Sequence, residues 1–593
     1  MPTHEVFNQS GPLADLDFFG SDRALAEAVG RVDPQACAAL SALGRRLGAA
    51  DTLDLGRLAN AYPPTLRSFD RFGRRIDEVE FHPAWHALMG MLVAEGLHAA
   101  TWTAADGLGF AGPGRKPLDS HLMRAAKYLL FSQVENGTQC PVTMTWAAIP
   151  LLAGQPALAR DWLPKLLSRD YDPGFRPLAD RGSALLGMGM TEKQGGSDVR
   201  SNTTRAEHAP VAEFGDRWGE PFRLTGHKWF MSAPMCDGFL VLAQAEGGAR
   251  GGGDSEDPGG LSCFLVPRWL PDGRLNALHF QRLKDKLGNR SNASSEVEFD
   301  GTAAFLVGEI GRGIPTILEM ASLTRLDCAI ASAGMMRRAV AEALHHAARR
   351  EAFGRPLASQ PLMTNVLADL ALESEAAMRW ALRLAAALDA RAGNPAADAL
   401  LRIGTPLAKY WICRRGPALA FEAMEVLGGN GYVEEAPLAR LYRELPVNSI
   451  WEGSGNVMCL DLLRALAREP GCAEALSAEL AAALGRLPAY DRFASPLIER
   501  LDSLRAGSPG PAGRSETAAF LDPFGARRLA GDLARAWQAA LMIGDAPAEV
   551  AAAFCAGRLD PTRAAGDQAF GTLPSEIDAA ALVARAMPSS ASS

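Results

Sequence analysis

Paired cysteines, a basic excess and long uninterrupted apolar runs are all missing from this chain of 593 residues. Its nine cysteines are scattered without a Cys-x-x-Cys pair, so we predict neither a metal site nor a disulfide framework, and expect reduced thiols in a cytoplasm. The 60 Lys and Arg residues are outnumbered by 68 Asp and Glu residues. The resulting net charge of −8 argues against a general nucleic-acid-binding protein.

Targeting and membrane-spanning segments are not predicted either. The first residues, Met1 to Glu5, do not combine a basic stretch with an apolar run, so we expect no signal peptide. The longest uncharged stretch, Asn136 to Ala159, is long enough to cross a bilayer. It contains three prolines, however, which favours a buried helix–turn segment.

Four regions that differ in apolar periodicity and in composition predict a segregated α+β architecture. Residues 1–184 have helical spacing, and their first 80 residues are interpreted as a loop-rich extension that packs on another subunit. Residues 185–305 contain alternating segments and short apolar runs such as Phe239–Leu242, which predict a β domain. Helical periodicity returns in residues 306–460, and residues 461–593 are Ala-rich and predicted to form an additional helical domain.

Two further predictions concern the core and the loops. One helix face in the third region carries apolar residues that we assign to the core of a helical bundle rather than to a cofactor: Leu362, Val366, Leu370, Ala377, Trp380, Leu384 and Leu388. Two segments rich in Gly, Ser and Pro are predicted to be breaks or surface loops: Gly247–Gly260 and Ser508–Gly513.

Two glycine-rich clusters are suited to contact a phosphorylated ligand. Gly189–Val199 reads GMTEKQGGSDV, and its hydroxyls and adjacent glycines would let backbone amides approach a flavin edge or a phosphate. A solvated loop that opens the β domain is the alternative. Glu425–Tyr432 has three glycines within four residues, more than a helix C-cap needs, which favours close approach to a pyrophosphate.

Two more clusters carry charged groups of interest. Ile450–Asn456 reads IWEGSGN and places Glu452 between a Trp and a Gly, which makes it a candidate general base whose pKa burial would raise. An exposed turn glutamate is the alternative. Arg350–Leu357 follows the first bundle helix, and its first arginine is suited either to a phosphate or to the carbonyl end of a helix.

The first three clusters, in this order around a β domain and a helical bundle, resemble the acyl-CoA dehydrogenase flavoprotein family over roughly residues 80–460. Gly189–Ser201 fits the first signature of that family, and the second is matched by Glu425–Gly431, Glu435, Arg440 and Glu444. Other segments resemble the AidB-like branch, which is associated with the adaptive response to DNA alkylation: Thr3–Gln9, Gln133–Pro141 and Met190–Thr204. That branch carries an added C-terminal helical domain, as expected here for residues 461–593.

The resemblance implies that FAD is bound between the β domain and the bundle. It assigns flavin contacts to Met190, Thr191, Ser197, Phe230 and Ser232, and leaves open whether Trp229 or Phe230 stacks on the ring. It assigns pyrophosphate and subunit-interface contacts to Arg350, Phe353, Gly428, Gly429 and Gly431. Trp451, Gly453 and Asn456 are implied to border the cofactor.

The implied reaction is α,β-dehydrogenation of an acyl-CoA thioester. Glu452 would remove the α-proton while the β-hydrogen leaves as a hydride to flavin N5. Hydrogen bonds from the Glu452 amide and a ribityl hydroxyl would stabilise the enolate as charge develops on the thioester oxygen. A homotetramer and electron-transfer flavoprotein as the electron acceptor are family expectations, and the length of the acyl chain stays open.

The AidB-like branch also implies an alternative function, a protective flavoprotein that binds double-stranded DNA and turns over little. Residues 461–593 contain 13 arginines, no lysine and 16 acidic residues, a net charge of −3. Phosphate contacts need clustered basic side chains, so this charge argues against DNA binding. Arg527, Arg528 and Arg535 suggest a basic stripe along one helix, and a solvated helix face is the simpler interpretation.

Overall fold

The computed structural model describes residues 3–107, 109–112, 115–245, 260–505, 519–560 and 569–588. The chain divides into two compact units. The first, here called the helical unit, comprises residues 1–53, 121–134 and 325–593. The second, here called the β unit, comprises residues 54–120 and 135–324. The predicted loops at 247–260 and 508–513 lie outside the described residues, apart from Gly260.

Helices dominate the described part of the chain. In chain order they are α1 Arg23–Val32, α2 Ala36–Gly48, α3 Ala50–Ala61, α4 Pro83–Ala94, α5 His121–Ser132, α6 Gln139–Ala153, α7 Pro156–Leu166, α8 Val211–Phe214, α9 Gly313–Arg349, α10 Pro361–Asp389, α11 Pro395–Leu427, α12 Gly429–Tyr432, α13 Pro437–Asn448, α14 Gly455–Arg468, α15 Pro470–Ala481, α16 Pro488–Arg505, α17 Ala526–Asp545, α18 Ala548–Arg558 and α19 Ala579–Ala586. Among the described residues, we find no helix that is long and apolar enough to cross a membrane.

The strands form one large sheet and two hairpins. They are β1 Thr65–Phe69, β2 Arg75–Glu80, β3 Leu186–Gly189, β4 Arg205–His208, β5 Pro221–Ser232, β6 Gly238–Ala245, β7 Leu261–Pro267, β8 Leu278–Leu283, β9 Ser294–Val307, β10 Glu351–Ala352 and β11 Arg355–Pro356. β1 pairs with β2 and β10 with β11, and the remaining strands belong to the large sheet.

The large sheet closes on itself. β6 pairs with β7, β7 with β9, and β9 with β5, while β3 and β4 each pair with both β5 and β6. Closure of this kind removes most unpaired strand edges, and β7, which is paired on both sides, is buried along its whole length. The ring of pairings also sets Gly189, the last residue of β3, opposite Met231 near the end of β5.

The helical unit is built around the long helices α9, α10 and α11. Trp380 of α10 is fully buried, and its ring lies 5.3 Å from that of Trp537 in α17. Arg558 of α18 forms buried ion pairs with Asp369 and Glu373 of α10. Helices from the Ala-rich region beyond residue 460 therefore pack in the same core as the bundle.

The predicted α+β fold class is confirmed, but two details of the prediction are wrong. The first 80 residues are not loop-rich, because α1, α2, α3 and the β1–β2 hairpin lie within them. The apolar stripe holds from Leu370 to Leu388, whereas Leu362 is 78% exposed in the first turn of α10. The four-domain division at residues 184, 305 and 460 stays a prediction.

Candidate active site

In the β unit, the loop that follows β3 is anchored by a buried ion pair. Glu192 is fully buried, and its Oε1 accepts hydrogen bonds from Lys228 Nζ and Thr204 Oγ1, each at 2.7 Å. Its Oε2 accepts one from the Thr203 amide at 2.7 Å. Burial acts to raise the pKa of Glu192, but the Lys228 ammonium and these donors together lower it to about 2. The carboxylate is therefore ionised and holds the loop in place.

This anchoring brings most of the predicted flavin contacts together. The Trp229 amide donates to the Thr191 carbonyl at 2.8 Å, which joins the loop to β5. Because β5 continues through Phe230 to Ser232, these side chains and Met190 lie at the same end of the sheet. A Cβ at position 196 would lie 2.6 Å from Thr191 Oγ1, so the loop closes over Thr191 only with glycine there.

The side chains at this end of the sheet differ in accessibility. Thr191, Met190 and Ser232 are half-buried and Ser197 is exposed. Phe230 is 46% exposed, whereas the Trp229 ring lies under the Lys284 ammonium, 3.3 Å from the ring centroid. The same ammonium lies 4.7 Å from the centroid of the Phe230 ring, so it covers the indole more closely, and the phenyl ring is the more open of the two.

In the helical unit, Trp451–Asn456, here called the base loop, has an unusual backbone. Glu452 has a φ of +59° and Gly453 a φ of +104°, so two successive residues lie in the left-handed region. A non-glycine residue adopts this conformation at a cost of about 1 kcal/mol or more, and such residues cluster at functional sites. Glu452 itself is half-buried, which is less than the sequence prediction of a buried carboxylate implies.

Two cations, the buried Lys409 and the half-buried Arg325, hold this backbone through three successive carbonyls. Lys409 of α11 is 1% exposed; its Nζ donates to the Trp451 carbonyl at 2.7 Å and also to the Gly453 carbonyl. Arg325 of α9 donates from Nε to the Glu452 carbonyl at 2.8 Å. Charge-assisted hydrogen bonds of this type are about twice as strong as neutral ones, so side chains of α9 and α11 fix the conformation of the base loop.

The tryptophan of the base loop is fixed as well. Trp451 Nε1 donates to Asn448 Oδ1 at 3.0 Å, and Asn448 Nδ2 donates to Ser332 Oγ at 3.1 Å. At the other end of the loop, Asn456 Oδ1 accepts a hydrogen bond from Arg527 Nε at 2.8 Å.

The remaining predicted residues form a third group, built on the N-terminal segment. Arg350 donates to the Asn8 carbonyl at 2.6 Å, and Phe353 is 96% exposed at the tip of the β10–β11 hairpin. Asn430, within the glycine turn, donates to Gln9 at 3.0 Å. The segment around Asn8 and Gln9 therefore joins the hairpin to the turn.

The three glycines of that turn differ in backbone conformation and in the space around their Cα atoms. Gly428 has a φ of +59°, and a Cβ at Gly428 or Gly429 would meet nothing within 4 Å. At Gly431 a Cβ would lie 2.5 Å from the Met424 carbonyl oxygen. The first two glycines thus present open backbone on which a ligand could lie, whereas the third allows tight packing.

Sequence reasoning missed Glu192, Lys409 and Arg325 as parts of the site. Lys409 left a signal, because it is the only charged residue between Thr405 and Cys413 in a helix that is otherwise apolar there. A buried lysine on such a helix needs specific acceptors, and its acceptors are the carbonyls of the base loop.

Three family models match the chain. They are the adaptive response protein AidB N-terminal domain over residues 8–173, the acyl-CoA dehydrogenase middle domain over residues 187–302, and the acyl-CoA dehydrogenase C-terminal domain over residues 311–467.

Individual relatives agree with these models. AidB of Escherichia coli strain K12 is 49% identical over 84% of this chain and 87% of its own. Acyl-CoA dehydrogenase family member 11 of Caenorhabditis elegans is 30% identical over 91% of this chain and 86% of its own. The crystal structure of ACDH-11 from the same organism, in complex with C11-CoA, is 28% identical and superposes with a TM-score of 0.80, covering 94% of each chain.

Proposed function

The chain belongs to the acyl-CoA dehydrogenase family, in its AidB-like branch, and on this basis we propose that it dehydrogenates an acyl-CoA thioester with Glu452 as the base. As a member of this family it is an FAD-dependent oxidoreductase. The observation that carries the proposal is the left-handed base loop, whose three carbonyls are held by Lys409 and Arg325.

The backbone of the base loop supports a role in binding the thioester oxygen. In a trans peptide the N–H points opposite to the preceding carbonyl, and the described chain has no cis peptide bonds. Because the Trp451 carbonyl points to Lys409, the Glu452 amide N–H points away from it. A donor fixed in this way can stabilise the negative charge that develops on a thioester carbonyl, an effect of roughly 3–4 kcal/mol by analogy with oxyanion holes.

The Glu452 carboxylate then has one task, the removal of the α-proton. The electron pair of the α C–H bond forms the new double bond to the β-carbon, and the β C–H bond breaks with its electron pair. FAD, when bound, supplies the acceptor for that hydride at flavin N5. Half-burial of Glu452 reduces its hydration without isolating it from the substrate, which suits a base that must be ionised before the reaction.

The described residues fit FAD in each unit separately. In the β unit, the half-buried Thr191 and Ser232 and the open ring of Phe230 are suited to a flavin, with Phe230 rather than Trp229 as the stacking residue. Met190 and Ser197 belong to the same loop. In the helical unit, Gly428 and Gly429 offer the open backbone that a diphosphate needs, and Trp451, Gly453 and Asn456 are assigned to the border of the cofactor.

The proposal includes an oligomer and an electron acceptor. The exposed apolar side chains of Phe353, Leu362 and Tyr432 in the helical unit support a subunit interface, for which we propose a homotetramer in which Arg350 and Phe353 reach a neighbouring cofactor. Electron-transfer flavoprotein is the proposed acceptor. For its location we propose the cytoplasm, where the nine cysteines would stay reduced.

Binding of double-stranded DNA is not part of the main proposal. Of the three arginines in the predicted basic stripe, Arg535 pairs with Asp532 at 2.6 Å and Arg527 donates to Asn456. The charge of Arg535 is thus balanced within the chain, and the net charge of −3 over residues 461–593 weakens the alternative of a DNA-binding protein with little turnover.

The test is anaerobic bleaching of the flavin by a panel of acyl-CoAs. Glu452→Gln should retain FAD and lose bleaching by at least about 100-fold, since general base catalysis typically contributes 10²–10⁴-fold. Glu499→Gln, an exposed glutamate of the same unit, is the matched control and should bleach like the wild type. Normal bleaching by Glu452→Gln would remove Glu452 from this role, and the best acyl-CoA would identify the chain length.

A further inference from the structure

The helical unit contains a recess of about 200 Å³, here called the cationic recess. It is lined by Lys409, Arg414 and Arg527, together with Tyr410, Ser449, Gly455 and Met458. Among these described lining residues none is acidic. A water molecule occupies about 30 Å³ in the liquid, so the recess can hold a group of several heavy atoms. Its lining therefore favours an anion.

Arg527 reaches the cationic recess from the helices beyond residue 460. It lies at the start of α17, and its Nε donates to Asn456 Oδ1 at 2.8 Å. The acceptor is a neutral amide, and within the described residues we find no ion pair for Arg527. A guanidinium has five N–H donors, and a Cβ at Gly455 would lie 3.5 Å from Arg527 Nη2. Donors of this arginine are thus left for a ligand beside the base loop.

Two more features make the recess electropositive. Lys409 is buried, and its ammonium is held at the recess by the carbonyls of Trp451 and Gly453, which are neutral acceptors. Helix α14 begins at Gly455, and Ser454 makes no side-chain capping bond to its first-turn amides. A helix N-terminus adds partial positive charge and N–H donors.

The charges of Arg527 and Arg414 also affect the pKa of the nearby Cys459 thiol. Burial raises the pKa of Cys459 to about 11, while the guanidinium charges of Arg527 and Arg414 act in the opposite direction. Both guanidinium charges therefore act at the first turns of α14.

We propose that the cationic recess binds a phosphate group and that Arg527 is one of its ligands. Guanidinium donors match phosphate oxygens in geometry and charge, and an appended helix would thereby contribute to a ligand beside the base loop. The phosphate can belong to the FAD diphosphate, to CoA or to a free anion. Where it belongs to FAD or CoA, the inference rests on the proposed function.

The experiment uses the FAD-loaded protein and three probes. Binding of inorganic phosphate and of CoA is measured by calorimetry, and the rate of FAD release is measured by flavin fluorescence. In Arg527→Gln, one of the three should change by about 10-fold, because a charge-assisted hydrogen bond is lost. Which probe responds identifies the source of the phosphate. Arg527→Lys should restore part of the effect, since it keeps the charge.

Arg528→Gln is the matched control, because Arg528 is exposed on the same helix and does not line the recess. It should leave all three measurements within about 2-fold of the wild type, as expected for a surface substitution. If Arg527→Gln also leaves all three unchanged, the cationic recess is not a phosphate site. That outcome is distinct from failure of the proposed function, which is decided by flavin bleaching in Glu452→Gln.

Discussion

Replacing Lys409 with Met should slow dehydrogenation without unfolding the protein. Met has a similar length but no donor, so the carbonyls of Trp451 and Gly453 lose their common partner. Of the contacts described above for this backbone, the hydrogen bond from Arg325 to the Glu452 carbonyl then remains. We expect the base loop to sample other conformations, because such a backbone persists only where the surroundings impose it.

The magnitudes separate stability from rate. Two hydrogen bonds from a charged donor contribute roughly 1.5 kcal/mol each, about 3 kcal/mol in total. Removal of the buried ammonium offsets much of this lost free energy, because the folded state no longer bears the cost of desolvating the charge. The free energy of unfolding should therefore change by less than about 2 kcal/mol. The rate of dehydrogenation should fall by about 30-fold, because the loss of positioning of the base loop should raise the activation free energy by about 2 kcal/mol.

The assay is rapid anaerobic mixing of the FAD-loaded protein with an acyl-CoA, followed through the flavin absorbance. Thermal unfolding and the FAD content of Lys409→Met are measured in parallel. Lys409→Arg keeps a cation at this position and should recover part of the rate. If Lys409→Met reduces flavin within about 2-fold of the wild-type rate, the ammonium does not position the base, and the reasoning from the carbonyl contacts is refuted.

Two further predictions concern stability. Because the pKa of folded Glu192 is lowered from 4.5 to about 2, its carboxylate contributes fully above pH 4.5 and its contribution is lost as the pH falls towards 2. Glu192→Gln should therefore lower the free energy of unfolding by about 3 kcal/mol at neutral pH and by progressively less below pH 4.5. Urea unfolding at several pH values measures this, and a difference between variant and wild type that does not change with pH would contradict it. Gly404→Ala should cost about 1–3 kcal/mol, because its Cβ would lie 2.7 Å from the Trp537 ring, whereas Gly544→Ala, with nothing within 4 Å, should be neutral or slightly stabilising in thermal unfolding.

The glycine turn at residues 428–431 shows what can and cannot be predicted from residue spacing in the sequence. The glycines at 428, 429 and 431 were all predicted to approach a pyrophosphate, because spacing alone cannot separate an open glycine from a packed one. The structure separates them: Gly431 lies against the Met424 carbonyl, while the other two are open. Leu362 is a similar case, since helical spacing places it on the core face but its position in the first turn of α10 leaves it exposed.

The sequence by itself determined the α+β fold class, the glycine-rich loops, the candidate base Glu452 and the family. These depend on residue type over short spans, where apolar periodicity, glycine content and neighbouring residues act directly. Only the tertiary structure decided what holds the base loop and what anchors the Thr191 loop. Lys409 meets Trp451 across 42 residues, Lys228 meets Glu192 across 36, and Arg527 meets Asn456 across 71. Such contacts depend on how whole helices and strands pack, which is a property of the assembled core and not of any local segment.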